Sequence, residues 1–136
     1  MGDELTYDKG LAVTLHYTLA NCPANATTAL TLDNGGAGFK VPTGYKFHAM
    51  CLHGESDTDL TAGTLTFKVR ASGTALTGGP TAALSDTVQA AVGVVRPGAD
   101  PIAAAAIVAV EAVASAALAP ATCGLDAVLI GVLLPA

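Results

Sequence analysis

Charge is scarce in this chain. Only 12% of its residues are charged, against about 25% in an ordinary soluble domain. A monomer normally stays soluble by means of a charged surface, so the deficit points to a surface partly hidden within an assembly. Basic residues are rarer still. Lys9, Lys40, Lys46, Lys68, Arg70 and Arg96 are the whole set, and the formal net charge is −5. Six scattered cations build no basic stripe, which excludes tracking of a nucleic acid backbone or attraction to an anionic membrane. Tryptophan is absent, and Tyr7, Tyr17 and Tyr45 are the only tyrosines. Glycan sites stack sugars on exposed rings, and few rings are on offer here. Cysteine is limited to Cys22, Cys51 and Cys123, an odd number without a CxxC pair. The opening Met1-Gly2-Asp3-Glu4 lacks the basic-then-apolar order of a secretion signal. Together these features predict thiols left reduced after synthesis in a cytoplasm. The one long apolar stretch, Pro101 to Pro120, carries Glu111 in its middle and is rich in alanine, a weak membrane former. No membrane span is expected there.

What the chain does have is alternation punctuated by turns. Its 136 residues suit one domain, long enough to bury roughly two-thirds of the unfolded surface. The organising stretch is Val41 to Ser72. Tyr45 to His53 is apolar-rich, Gly54 to Gly63 is polar, and Thr64 to Arg70 alternates cleanly. Leu65, Phe67 and Val69 take one face, and Thr64, Thr66, Lys68 and Arg70 take the other. A period of two marks a half-buried strand. Two such runs joined by a Gly-bearing polar loop are expected to pair as antiparallel strands.

On either side the same signals recur. Residues 1–10 are polar and predict an N-terminal arm, and residues 11–136 predict a single β-sandwich domain. Residues 11–19 alternate as a first strand. Thr27 to Leu32 is expected to be a second, with Leu30 and Leu32 on one face. Asp33 to Gly38 is a turn whose glycines supply positive φ. Thr87 to Val95 predicts a strand with Val88, Val92 and Val94 as its apolar members. Asp126 to Leu134 is a terminal strand apolar enough to be buried on both faces.

Residues 101–118 support two expectations. Asp100 as N-cap, Pro101 as first residue and an alanine-rich run favour a helix. Val108, Val110 and Ala112 alternating with Ala109, Glu111 and Val113 favour a strand over about 105–114. Turns every 8 to 12 residues mark an all-β chain, an antiparallel sandwich of jelly-roll type. In that context the strand is preferred, with 101–118 as the one segment able to be helical.

Candidate chemistry is thin. His48, Cys51 and His53 are residue types that bind zinc. On a regular strand, however, His48 faces away from Cys51 and His53, and two ligands do not make a site. Glu55, Asp57 and Asp59 form an oxygen-rich loop that is a weak cation candidate, without EF-hand spacing. No metal or cofactor is therefore expected. Ser56, Ser72, Ser85 and Ser115 lie outside any GxSxG context. The Asn34-Gly35-Gly36-Ala37-Gly38 run does not match a phosphate-binding loop. No catalytic residues are expected, and the chain does not read as an enzyme.

The order of the pieces resembles small structural proteins of tailed bacteriophages. It lies in VPTGYKFHAM, LTAGTLTFKVRASGTAL, RPGADPIAAAA and LAPATCGLDAVLIGVLL, spread over residues 37–136. These look like β-sandwich modules used as head decoration, or cement, proteins and as head spikes or fibre knobs. The resemblance implies a non-enzymatic virion component on the capsid exterior, made in the host cytoplasm. Its partners would be the major capsid protein and copies of itself, as a homotrimer, without nucleic acid or membrane. It further implies that the arm residues Met1, Gly2, Asp3, Glu4, Leu5, Thr6 and Tyr7 contact the capsid. The other expectation it leaves open is a fibre-knob or adhesin domain binding a host glycan.

Overall fold

Strands form where alternation is strongest, and the turns that Gly, Pro, Asn and Asp supply separate them. The computed structural model describes residues 10–95 and 100–136. Of the predicted arm, residues 1–9 lie outside the described residues. The strands are β1 (Leu11–Cys22), β2 (Thr27–Ala29), β3 (Thr31–Leu32), β4 (Phe39–Lys40), β5 (Tyr45–Ser56) and β6 (Thr64–Ala71). They continue with β7 (Thr74–Ala75), β8 (Thr81–Ser85), β9 (Ala90–Val94), β10 (Ile107–Ala114) and β11 (Cys123–Pro135). One sheet runs β3-β1-β11-β5-β9. The other is centred on the β10–β6 pair, with β2 and β4 beside β10, and β7 and β8 beside β6. All pairings are antiparallel, giving the all-β, jelly-roll-like sandwich that the turn spacing predicts.

The core lies between the sheets, and both contribute large and small residues to it. Leu65, Phe67 and Val69 of β6 and Val108, Val110 and Ala112 of β10 are buried from one side. Leu15 and Tyr17 of β1, Phe47 and Leu52 of β5, and Leu125, Ala127 and Leu129 of β11 close it from the other. A Cβ added to Gly54 would stand 2.3 Å from the Phe67 ring, so that ring packs directly on bare backbone of the facing sheet. The Tyr17 hydroxyl crosses the core and donates to the Val108 carbonyl at 2.6 Å. Burial pushes its phenol far above the ordinary value.

Several expectations are corrected. The runs around β5 and β6 do not pair with each other. They lie in different sheets, because β11 and β9 already occupy both edges of β5. The loop between them is an inter-sheet crossing. It is tied down by Asp57 N donating to Gly124 O (2.9 Å) and Thr61 N donating to Ala119 O (2.8 Å). Leu60 N donates to Gln89 Oε1 at 2.8 Å.

Thr27 to Leu32 is not one strand. β2 joins β10 and β3 joins β1, and the buried Leu30 sits at the crossover. Residues 101–118 contain no helix, and the preferred strand over about 105–114 is present as β10. Ile102 bridges Phe47, Ala105 takes φ +69°, and β10 follows. Burying Val108, Val110, Ala112 and Ala114 on one face outweighs alanine's local helix preference. In β9, Val92 and Val94 face solvent rather than the core.

Candidate functional site

Among the described residues, none covers the outer face of the sheet of β1, β11, β5 and β9. Register fixes its composition. Thr14, Ile130, Cys51 and Val94 lie side by side across the four strands. His16, Val128, His53 and Val92 form the next row, and Ala12, Val132 and His48 form another. Val92 is 58% exposed, Val94 70% and Ile130 43%. The described residues therefore do not bury the terminal strand β11 on both faces. Its inner residues fill the core, and its outer Val128, Ile130, Val132 and Leu134 meet solvent to varying degrees. β9 is also a sheet edge and carries no charged residue. Soluble proteins normally guard such an edge with charge, proline or a bulge, and contiguous apolar surface marks contact with another molecule.

A β-bulge shapes this face. Ile130 pairs with Cys51 and Gly131 with Ala49, leaving Met50 unpaired and 40% exposed. The extra residue reverses the side-chain parity. His48, Cys51 and His53 consequently share the outer face, which corrects the expectation that His48 points the other way. Among the described residues, even so, no group of three or more His, Cys, Asp or Glu side chains could hold a metal ion.

The acidic candidates are placed apart in role. Glu55 is on β5 opposite Asp126, and Asp59 is exposed in the crossing loop. Asp57 Oδ1 accepts from Gly124 N at 2.8 Å and from Thr58 Oγ1 at 3.0 Å. Asp57 thus clips the crossing loop to the start of β11. Asp57→Ala should cost about 1–2 kcal/mol through the lost charge-assisted bond, read in urea melts. A change below about 0.3 kcal/mol would deny the clip its role.

His16 sits at the border of the face. Its Nδ1 meets Asp33 Oδ2 at 2.6 Å, and its Nε2 meets Asp126 Oδ1 at 3.2 Å. The hydrogen bond to Asp33 leads the causes that hold its pKa above the ordinary value. A raised pKa means stability present below the unfolded value of about 6.5 and lost as pH rises through the folded one. His16→Gln should therefore lower the melting temperature near pH 5 and leave it unchanged near pH 9. The side chain is 43% exposed, so the effect should stay within about 1 kcal/mol. A loss that is equal at both pH values would show that the charge is not involved.

Two further features were not foreseen from sequence. Arg70 Nη1 holds Glu111 through both carboxylate oxygens, at 2.9 and 3.0 Å, on the outer side of the other sheet. Glu111 is the buried charged residue among those described, and an open cleft of about 400 Å³ lies beside the pair. Cross-strand spacing, unknown without the register, is the signal that sequence lacked. Tyr17, Phe47 and Phe67 are buried and Phe39 and Tyr45 half-buried. Met1 to Tyr7, expected to contact a capsid, lie outside the described residues.

No family model matches the chain, and neither does any curated protein. Solved structures do resemble it. A chain of the acidic stable capsid structure of Helicobacter pylori bacteriophage KHP30 is 14% identical, with a TM-score of 0.51. That match covers 93% of this chain and 90% of the other. A chain of the cyanophage Pam1 capsid asymmetric unit is 16% identical over 93% and 87% of the two chains, with a TM-score of 0.45. One from Desmodium yellow mottle tymovirus is 10% identical over 93% and 87%, with a TM-score of 0.43. At such identities the first match speaks to fold alone: this β-sandwich is similar to that of the bacteriophage KHP30 capsid chain.

Proposed function

We propose that this chain is a structural virion protein, a capsid decoration or cement protein that binds the outside of an assembled head and stabilises it. The observation that carries this reading is the exposure of Val92, Val94 and Ile130 on an outer face of β11, β5 and β9 that no described residue covers, in a β-sandwich like that of a bacteriophage capsid chain. Covering that face with other subunits removes apolar area from water, which is favourable in proportion to the area. The scarcity of charge agrees, because desolvating unpaired charge at a contact is costly.

The partners on this reading are the major capsid protein and further copies of the chain, as a trimer. Residues 11–136 act as one sandwich domain. Residues 1–10 act as an arm whose first seven residues add contacts to the shell. The protein is made in the host cytoplasm, resides on the virion exterior and catalyses nothing.

Binding only the assembled shell stabilises that shell by mass action. Heads lacking the protein should take it up on co-sedimentation and should then survive heat and osmotic shock longer. Heads that bind it and remain equally fragile would remove the cement role, and heads that do not bind it would remove the reading altogether. Deleting residues 1–10 should weaken uptake while leaving the melting of the free domain nearly unchanged. Equal uptake would deny the arm its part.

A further inference from the structure

Two of the three cysteines are placed where a bond could join them. Cys22 ends β1 and Cys123 begins β11, and the β1–β11 register sets them directly opposite each other. Directly opposed antiparallel residues stand about 4.5–5.5 Å apart at Cα, inside the roughly 4.4–6.8 Å that a disulfide spans. Side chains of one cross-strand pair lie on the same face of the sheet, and both of these point into the core, with exposures of 0% and 1%. Both thiols are free. The third, Cys51, lies on the outer face of β5, opposite Ile130, on the far side of the same sheet.

We propose that Cys22 and Cys123 are a latent disulfide site, closed by a low-molecular-weight disulfide once the protein leaves a reducing compartment. The step is thiol–disulfide exchange. One cysteine thiolate attacks the oxidant's S–S bond, forming a mixed disulfide and releasing one oxidant thiol. The second cysteine then attacks the protein sulfur of that mixed disulfide and releases the other oxidant thiol. Two cysteine thiols are oxidised, one external disulfide is reduced, and two protons pass to the released thiols.

The position suits a slow, conditional reaction. Burial pushes the Cys22 thiol up to about 11, and the neighbouring Cys123 adds to the rise. Little thiolate is present at neutral pH, so the pair stays reduced during synthesis and assembly. Access is nonetheless short. A register shift separates Leu19 from Cys22 in this ladder, and Asn21, Pro23, Ala121 and Thr122 beside the pair are exposed. Fraying at a strand end is the cheapest opening a sheet has. The bond would close a loop of about 100 residues between the first long strand and the last, the range in which a cross-link constrains the unfolded chain most.

The test uses the whole protein, incubated natively with oxidised glutathione at pH 8.5 and then denatured for thiol titration. Three thiols are expected before treatment and one after, with Cys22 joined to Cys123 in the peptide map. The oxidised protein should melt about 10 °C higher than the reduced one. Cys51→Ser should retain the reaction and finish with no free thiol, and Cys22→Ser should abolish it. Three thiols persisting after treatment, or a link through Cys51 or between chains, would overturn the proposal. A Cys22–Cys123 bond that lowers the melting temperature would overturn the claim that the site is built to accept it.

Discussion

Phe67→Ala is expected to cost about 3–5 kcal/mol, while Lys68→Ala, one residue on, should stay within about 0.5 kcal/mol. The contrast follows from the pleat. Phe67 is fully buried, and Lys68 faces solvent on the opposite side of β6. The ring cannot be replaced by relaxation of its neighbours, because what it touches across the core is the backbone at Gly54. Backbone held in two ladders, β5–β11 and β5–β9, does not collapse into a cavity. Against a typical total of about 5–15 kcal/mol, the loss would approach unfolding.

The same contact predicts a coupling. Gly54→Ala alone should destabilise, since its methyl would stand 2.3 Å from the ring. In the Phe67→Ala background that methyl enters vacated space, and the penalty should shrink or change sign. Urea melts of the unmodified protein, the three single variants and the Gly54–Phe67 double variant decide the matter. Equal losses for Phe67→Ala and Lys68→Ala would mean that the register of β6 is wrong. Strict additivity with Gly54→Ala would mean that the two residues do not touch.

Local features were legible from sequence, and long-range ones were not. The alternation of Leu65, Phe67 and Val69 gave β6 its inward face, and the Asp33–Gly38 turn followed from glycine chemistry. At β10 the local pattern supported both helix and strand, and the turn spacing of an all-β chain decided for the strand. Partner choice was out of reach. A strand's own residues do not say which neighbour completes its hydrogen bonds, and β5 takes β11, pairing Cys51 with Ile130 far along the chain, rather than β6. The bulge at Met50 was invisible as well. It turns on one unpaired residue, yet it moves His48 to the side of Cys51 and His53. For the candidate face, the apolar character of β11 was plain, but the expectation that both its sides are buried assumed cover from this chain. The two-sided pattern was real, and its outer half, Val128, Ile130, Val132 and Leu134, meets solvent to varying degrees.

Charging that outer half should abolish assembly without harming the fold. Val94→Lys combined with Ile130→Lys is expected to lower the affinity for heads by about 100-fold or more, and to reduce self-association of the free protein in parallel. The two residues are neighbours through Cys51 in one row of the sheet. Any subunit covering one must therefore approach the other. An unpaired charge trapped in such a contact costs about 3–5 kcal/mol, and each 1.4 kcal/mol is tenfold in affinity. Neither side chain contributes to the core, and at 70% and 43% exposure lysine can extend into water at both sites. The thermal midpoint should accordingly move by no more than ordinary surface substitutions move it. Lys68→Ala on the other sheet serves as the control for a general effect of surface charge. Co-sedimentation with heads, light scattering of the free protein and thermal melts supply the three readings. Unchanged attachment by a folded double variant would show that this face is not the contact, and would leave the arm to carry attachment alone.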